Sequence, residues 1–246
     1  MVYSMDAYRK TAIIVGILFI IGTAAGILSV FFAGSIQGTP GSSYFTQVSA
    51  NKTNILIAVL LLFTMASATA GTAIWLYPVL KKYNEALALG AVGFRLIESV
   101  LGIIGASCLI TLLTLSQDFV NAGTSNAPYF QTVGSAILAG HDWITNVAML
   151  LAWCLAAFMY YYIFYRTRLI PRWLTGWGLI GITLSMISSL LVMFGLITVW
   201  MPVHSLLNAP IAVQEMIFAA WLIVKGFNPS AIASLSSQKK IQGGNL

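Results

Sequence analysis

Charged residues are scarce in this sequence. Of its 246 residues, twelve are Lys or Arg and six are Asp or Glu, so 7% are charged and 59% are hydrophobic. The mean hydropathy is +0.90, whereas a soluble domain usually carries about 25% charged residues. So few charges cannot cover a water-facing surface, which excludes a soluble globular protein, a disordered chain and a conventional cytosolic enzyme. The composition predicts an all-α, polytopic membrane protein.

Cysteine and histidine are also rare, with two of each. Cys108 and Cys154 both fall in long apolar runs, so a disulfide framework and a CxxC metal motif are excluded. The sequence has no nucleotide-binding loop, no HExxH motif and no GxSxG motif. We therefore lean against an enzyme, and we expect no cofactor.

Long runs without charge predict six membrane-spanning helices in one domain over residues 1–232. A helix needs about 20 mostly apolar residues to cross a bilayer. The predicted spans cover residues 11–33, 54–80, 86–115, 136–165, 174–199 and 203–227. The polar residues 233–246 that follow predict a mobile tail.

The distribution of Lys and Arg predicts the orientation of these spans. Ten basic residues fall on one side of the predicted bundle, namely Arg9, Lys10, Lys81, Lys82, Arg166, Arg168, Arg172, Lys225, Lys239 and Lys240. Lys52 is alone on the other side. The positive-inside rule then places both termini in the cytoplasm and the protein in the cell membrane. This asymmetry accounts for the net charge of +6, so the expected partner is the lipid bilayer and not a nucleic acid.

Four Asp, Glu or Arg residues fall within the predicted spans: Arg95, Glu98, Asp142 and Glu215. Each costs roughly 2.5–3.5 kcal/mol at a helix centre, so such residues usually face the interior of a bundle. Glu98 and Glu215 both lie about twelve residues into their spans, or roughly 18 Å at 1.5 Å per residue. We therefore expect these two acids at one level near the midplane, with Arg95 one turn away.

The charges of these four residues sum to −2 if all of them ionise, which a medium of low dielectric constant opposes. A bound proton or cation would offset that charge. Helical spacing adds Asn146 to Asp142 and Asn208 to Glu215, so these six residues form the predicted binding or coupling site. The alternative is a structural ion pair of Arg95 with Glu98 or with Glu215, in which the other acids are neutral and hydrogen-bonded.

His141, Asp142 and His204 form a second candidate group, which we expect near the outer face. Neutral imidazole and carboxylate groups suit zinc or a similar divalent metal ion. Their spacing matches no recognised metal motif. Histidines in such places are more often interfacial or held by hydrogen bonds, and this alternative stays open.

Two further patterns concern contacts with other helices and with the lipid surface. Gly22 and Gly26 form a GxxxG pair, which suits a homodimer contact or, more commonly, packing within one chain. The run Tyr160, Tyr161 and Tyr162 lies near the basic end of its span, and tyrosines there typically anchor a helix at the membrane interface.

Several longer strings carry a resemblance to a known family. They cover residues 77–85, 93–98, 141–143, 171–174 with Trp177-Gly178, and 221–229. Together they resemble the domain-of-unknown-function family 4386 over roughly residues 9–232. The family typically has Arg-Asp-Trp where this chain has His141-Asp142-Trp143, which changes the local charge. The resemblance implies a prokaryotic multi-pass membrane protein, with no activity, substrate or cofactor to transfer.

Three functions are consistent with these patterns. The first is transport or binding of a small solute or ion at the midplane charges, with coupling to protons or cations. The second is an accessory or sensory subunit in which the charges are structural. The third is a membrane-embedded, metal-dependent enzyme that uses His141, Asp142 and His204.

Overall fold

The computed structural model describes residues 5–36, 38, 40–123 and 127–234, and every regular element within these ranges is helical. The α-helices are α1 (Met5–Phe32), α2 (Ser42–Ala50), α3 (Lys52–Leu80), α4 (Glu85–Ala122), α5 (Ala127–Trp143), α6 (Met149–Thr167), α7 (Arg172–Met193) and α8 (Pro202–Val224). A π-helical segment, Ile144–Ala148, joins α5 to α6 in one continuous helix. Most of the predicted tail, residues 235–246, lies outside the described residues.

Six of these helices are long and apolar enough to cross a membrane: α1, α3, α4, the continuous α5–α6 helix, α7 and α8. Their outward faces expose large apolar side chains such as Phe31, Ile180 and Leu206. Lipid, unlike water, accommodates such a surface. The predictions of an all-helical fold and of six spans are confirmed, and the chain is a multi-pass membrane protein. The cytoplasmic location of the termini stays a prediction.

Local signals set the ends of these helices. The Asn84 side chain accepts a hydrogen bond from the Leu87 amide at 2.9 Å and so caps the start of α4. α7 ends at Met193, six residues before the predicted end of its span, since Gly195 adopts a φ of 68°. Glycine favours this left-handed conformation after a helix end, and the Leu196 amide then bonds back to the Leu191 carbonyl at 2.9 Å.

The six spanning helices form a closed ring in chain order. α1 packs against α3, α3 against α4, α4 against α6, α6 against α7, α7 against α8, and α8 returns to α1. Arg9 of α1 strengthens this closure, since its guanidinium donates hydrogen bonds to the Leu222 and Ile223 carbonyls at the end of α8. These carbonyls have no partner within their own helix.

The two ends of the ring differ in charge and packing. One end, here called the basic face, carries the described basic residues at the start of α1, the α3–α4 turn, the α6–α7 turn and the end of α8. Next to it, aromatic side chains fill the interior. This aromatic core consists of Phe19, Tyr160, Tyr161, Phe164, Phe218 and Phe227, whose neighbouring ring centroids lie 4.6–6.1 Å apart.

A second apolar cluster lies at the other end of the ring, here called the opposite face. The short helix α2 packs against α4, and its Phe45 is fully buried against Phe119 and Phe130. The Phe45 ring lies where a side chain on Gly134 of α5 would otherwise be, since a Cβ atom there would be 2.8 Å from the ring. α2 lies between α1 and α3 in the chain, so this packing holds the segment that connects them against α4 and α5.

We predict that Gly181→Ala destabilises the contact between α7 and α8. A Cβ atom at Gly181 would lie 2.9 Å from the Ile211 Cβ and 3.1 Å from its backbone Cα, so α8 itself would have to move. Overpacking of this kind typically costs about 1–3 kcal/mol. The thermal midpoint of the purified protein should fall accordingly.

Gly93→Ala is the matched control, because a Cβ atom on that face of α4 would have no neighbouring atom within 4 Å. We expect the Gly93 variant to unfold at the wild-type temperature. Equal midpoints for the two variants would show that α7 and α8 do not approach each other this closely.

Candidate functional site

A buried ion pair lies at the centre of the bundle. The Arg95 Nη1 atom donates hydrogen bonds to both Glu98 carboxylate oxygens, at 3.1 and 3.3 Å, one helical turn apart on α4. Only 5% of Arg95 is exposed. Its guanidinium lies near the Phe19 ring of α1 and the Tyr160 ring of α6, with centroid distances of 5.7 and 5.4 Å. The charge is therefore held by three helices of the ring.

Tyr160 belongs to this site and not to an interfacial belt. Its hydroxyl accepts a hydrogen bond from Arg95 Nη2 at 2.9 Å, and the residue is 2% exposed. Tyr161 is fully buried and donates to Gln214 Oε1 at 2.7 Å. The prediction that this run anchors the helix at the membrane surface is wrong for Tyr160 and Tyr161, since their hydroxyls find partners inside the bundle. Tyr162 alone is exposed.

Glu215 of α8 differs from Glu98 in its hydrogen bonding. Both carboxylate oxygens of Glu98 have a donor, whereas one oxygen of Glu215 has none. Its Oε1 atom is buried and has no hydrogen-bond partner. Arg95 is close enough to interact with it electrostatically, and Trp153 lies beside it in the lining of the same cavity. A buried carboxylate oxygen without a partner is costly. Glu215 is therefore the group in this cluster with spare capacity for a proton, a cation or a hydrogen-bond donor.

A cavity of about 490 Å³, here called the central cavity, contains these charged groups. Arg95, Glu98 and Glu215 all line it, so the structure brings the three predicted midplane residues together. Asn208 lines the same cavity, about two turns from Glu215 on α8. Most of the remaining wall is apolar and comes from α1, α3, α6 and α8, including Phe19, Trp153 and Ile211.

A second cavity of about 680 Å³, here called the vestibule, lies toward the opposite face. It is lined by His141, Asp142 and Asn146, and also by Gly38 and Trp200 from the connections at that end. Gly38 and Trp200 are both exposed, so the vestibule reaches the surface of the bundle.

Asp142 is partnered within the vestibule. His141 Nδ1 and Asp142 Oδ1 lie 3.2 Å apart, and Asn146 Nδ2 donates to the Asp142 carbonyl at 3.2 Å. Tyr44 of α2 is nearby: burial, with a smaller contribution from the Asp142 charge, raises the pKa of its phenol. Asp142 therefore belongs to the vestibule, and the three charged residues around the central cavity, Arg95, Glu98 and Glu215, sum to −1 if all of them ionise.

The two cavities adjoin at a set of shared lining residues, here called the neck. Five residues line both cavities, namely Gly26, Val30, Met65, Met149 and Leu150. Met65 lies over Gly26, where a Cβ atom would be 3.0 Å from its sulfur, and Met149 lies over Gly102 at 3.3 Å. The two glycines make room for two flexible side chains at the junction.

The three candidate metal ligands are not together. His204 lies at the start of α8, where its Nδ1 is 3.0 Å from the Ser188 hydroxyl of α7. His141 and Asp142 belong to the vestibule on α5. Over residues 5–36, 38, 40–123 and 127–234, no three or more His, Cys, Asp or Glu side chains are placed to hold a metal ion.

Comparison with known proteins identifies the family. Residues 14–226, which include all of this site, match the family described as Domain of unknown function (DUF4386). The chain belongs to the DUF4386 family. No curated protein and no solved structure matches it.

The glycine pair of this DUF4386 chain packs inside the bundle. A Cβ atom at Gly22 would lie 3.6 Å from Ala68, and one at Gly26 would meet Met65, both on α3. These glycines also line the central cavity. The GxxxG face thus packs against α3 within the chain, and the homodimer stays a prediction.

Two residues that support the DUF4386 site were not among the sequence predictions. Gln214 is fully buried, donates to the Leu174 carbonyl at 3.0 Å and accepts from Tyr161, so it connects α6, α7 and α8. Trp153 lines the central cavity beside Glu215. Both are uncharged, so a search for ionisable residues within spans passes over them. The adjacency of Gln214 to Glu215 is the signal that could have found the first.

Proposed function

We propose that the protein binds a small solute in the central cavity and carries it across the membrane. The observation that supports this is the pair of adjoining cavities, which leads from the opposite face through the vestibule and the neck to Arg95, Glu98 and Glu215. Binding sites of transporters lie near the bilayer midplane. A cavity of about 490 Å³ also falls within the usual range for small-molecule sites, about 300–1,000 Å³.

The packing beyond the central cavity supports one open side at a time. Between the cavity and the basic face lies the aromatic core, in which Tyr161, Phe164 and Phe218 are fully buried. Tyr161 is in addition hydrogen-bonded to Gln214. In this state a solute would reach the charged residues from the opposite face and would be stopped by the aromatic core. Transport then requires α6 and α8 to separate at these rings.

The charge balance supports coupling to a proton or a cation. Arg95 offsets one of the two carboxyl groups, Glu98 and Glu215, so the cavity would hold a net charge of −1 with all three ionised. A site of low dielectric constant resists this charge. Occupation of Glu215 by a proton or a cation in one state and its release in another would couple ion movement to solute movement.

Cysteine labelling tests access to the cavity. In a background with Cys108→Ser and Cys154→Ala, we would introduce Ala212→Cys in the central cavity and Asn146→Cys in the vestibule. A membrane-impermeant thiol reagent would be added to intact cells or to inside-out vesicles. We expect both cysteines to react from the side of the opposite face, since both line the open path.

Ala157→Cys is the matched control, because it places the same thiol on a spanning helix within the fully packed interior. It should not react from either side. If Ala212→Cys and Asn146→Cys are also unreactive from both sides in a folded protein, the path is not hydrated and the transport proposal fails.

The accessory or sensory role stays as the second candidate, and one observation favours it. Arg95, Glu98 and Tyr160 satisfy one another within the chain, which is what a purely structural charge cluster requires. Glu215, with its unpartnered oxygen, is the exception. If neither cysteine reacts, the accessory or sensory role becomes the favoured function. The metal-dependent enzyme lacks a three-ligand group among the described residues and is not proposed.

A further inference from the structure

We infer that the solute is an amphipathic organic cation, a protonated amine joined to an apolar group, with its cationic centre beside Glu215. This inference rests on the proposed function, since it names the class of solute for the same cavity. The inference depends on which charged side chains already have partners, on the aromatic groups beside them and on the shape of the cavity.

The Arg95 guanidinium is not available to bind an anionic solute. Arg95 already donates to Glu98 and to the Tyr160 hydroxyl, and the Phe19 and Tyr160 rings lie near its guanidinium. No other Lys or Arg among the described residues lines the central cavity. An anionic solute would therefore have to displace Glu98 from a buried ion pair, which is costly.

The anionic group, in contrast, is available. Glu215 Oε1 is buried without a hydrogen-bond partner, and the carboxyl lines the cavity. A carboxylate in this state attracts a cation, and an ammonium N–H would supply the missing donor. Charge-assisted hydrogen bonds of this kind are about twice as strong as neutral ones.

Aromatic and apolar side chains complete the site. Trp153 lies beside Glu215 in the lining of the cavity, and indole is the aromatic group that attracts cations most strongly. Leu18, Met65 and Ile211 supply apolar wall. This combination of one acid, one indole and an apolar wall suits an organic cation better than a metal ion, which would need several oxygen ligands.

The cavity also has room for an apolar group toward lipid. Ile27 of α1 and Ala212 of α8 line it, and both are exposed. The contacts that join α1 to α8 include Phe19–Phe218 and Gly16–Ala219, nearer the basic face. The gap between these helices beside Ile27 and Ala212 would accommodate the apolar part of the solute while its cationic part stays at Glu215.

The charged residues that line the vestibule also favour a cationic solute. Its ionisable lining residues are His141 and Asp142, with no Lys or Arg among the described residues that line it. The path from the opposite face to Glu215 thus has acidic groups at both ends, Asp142 and Glu215, and its single fixed cation, Arg95, is paired. A potential of this sign raises the local concentration of cations.

The test uses benzylammonium as the probe and purified protein in lipid nanodiscs. Its uncharged analogue ethylbenzene has a methyl group in place of the ammonium group and nearly the same shape, and benzoate supplies the opposite charge. Binding would be measured by titration calorimetry and as protection of Ala212→Cys from a thiol reagent. We expect saturable binding and protection with the cation alone.

Variants locate the binding site. Glu215→Gln should weaken binding of the cation by at least about tenfold, the amount expected for losing one charged interaction. Trp153→Phe should weaken binding of the cation several-fold while keeping an aromatic ring in place. If Glu215→Gln does not fold, Trp153→Phe is the variant that tests the site. Glu85→Gln removes the same charge at the exposed start of α4 and should bind as the wild type does.

Two binding results would overturn the inference, and so would two labelling results. One is equal binding of the cation and its uncharged analogue, and the other is binding of the cation that Glu215→Gln and Trp153→Phe both leave unchanged. If Ala212→Cys is labelled but no cation protects it, the solute class is wrong and Glu215 holds only a proton, while the proposed transport stands. If Ala212→Cys is never labelled, both proposals fail.

Discussion

Replacing Arg95 by Gln should destabilise the protein by about 3–5 kcal/mol, the usual effect of removing one partner from a buried ion pair. The variant leaves the Glu98 carboxyl and the Tyr160 hydroxyl without their donors, and it also removes the positive charge nearest to Glu215. Two acids would then share a cavity with no cation. The measurement is the free energy of unfolding in mixed micelles, or the thermal midpoint where unfolding is irreversible.

Three further variants separate charge from packing. Glu98→Gln should cost less than Arg95→Gln, because the guanidinium retains Tyr160 and can interact with Glu215. The double variant Arg95→Met with Glu98→Leu should recover most of the loss, since apolar pairs often replace buried ion pairs without penalty. Arg166→Gln removes an exposed charge on the basic face and should have little effect. A double variant no more stable than Arg95→Gln would contradict this account.

A phenylalanine at Gly26 should close the neck. Gly26 lines both cavities, and its Cβ would point at the Met65 sulfur, 3.0 Å away, so a large side chain there fills the junction. We expect thiol labelling of Ala212→Cys to become about tenfold slower or more, which corresponds to about 1.4 kcal/mol of added barrier. Labelling of Asn146→Cys in the vestibule should keep its rate.

Gly34→Phe is the matched control, because nothing lies within 4 Å of a Cβ atom at that position. It should leave both labelling rates unchanged. Gly26→Ala adds a single methyl group and displaces only the flexible end of Met65, so it should slow the labelling of Ala212→Cys less than Gly26→Phe does. If Gly26→Phe leaves the Ala212→Cys rate unchanged, the solute reaches the central cavity by another route.

The helices were predictable because charges are excluded from lipid. The runs without Lys, Arg, Asp or Glu predicted six spans, and six spanning helices are present. Their ends were less predictable, as α4 continues to Ala122 and α7 stops at Met193. Both ends depend on local backbone conformation at Gly123 and Gly195, which a hydropathy pattern does not contain.

The residues around the central cavity were predictable by the same argument. Arg95, Glu98 and Glu215 had to face the interior, and equal depth from opposite ends brings α4 and α8 to one level. Asp142 lies apart from these three residues, in the vestibule, 3.2 Å from His141. The contact with His141, and the π-helical segment that follows, are properties of the folded chain.

The neutral partners could not be derived from charge. Tyr160 looked like an interfacial anchor by position, and only the packing of α6 against α4 brings its hydroxyl to Arg95. The same holds for the neck, since two glycines and two methionines from four helix segments meet there. Contacts between helices decide which of many apolar residues line a cavity, and a single sequence contains no record of them.

The closure of the ring between α1 and α8 has a consequence for biogenesis. α1 is the earliest helix of the ring to be synthesised and α8 the latest, yet Phe19 and Phe218 must meet to complete the aromatic core. Until α8 leaves the ribosome, the five earlier helices form an open arc with Arg95 and Glu98 on its concave side. A chain that lacks α8 therefore cannot close the ring, because α8 is the helix that packs against both α7 and α1.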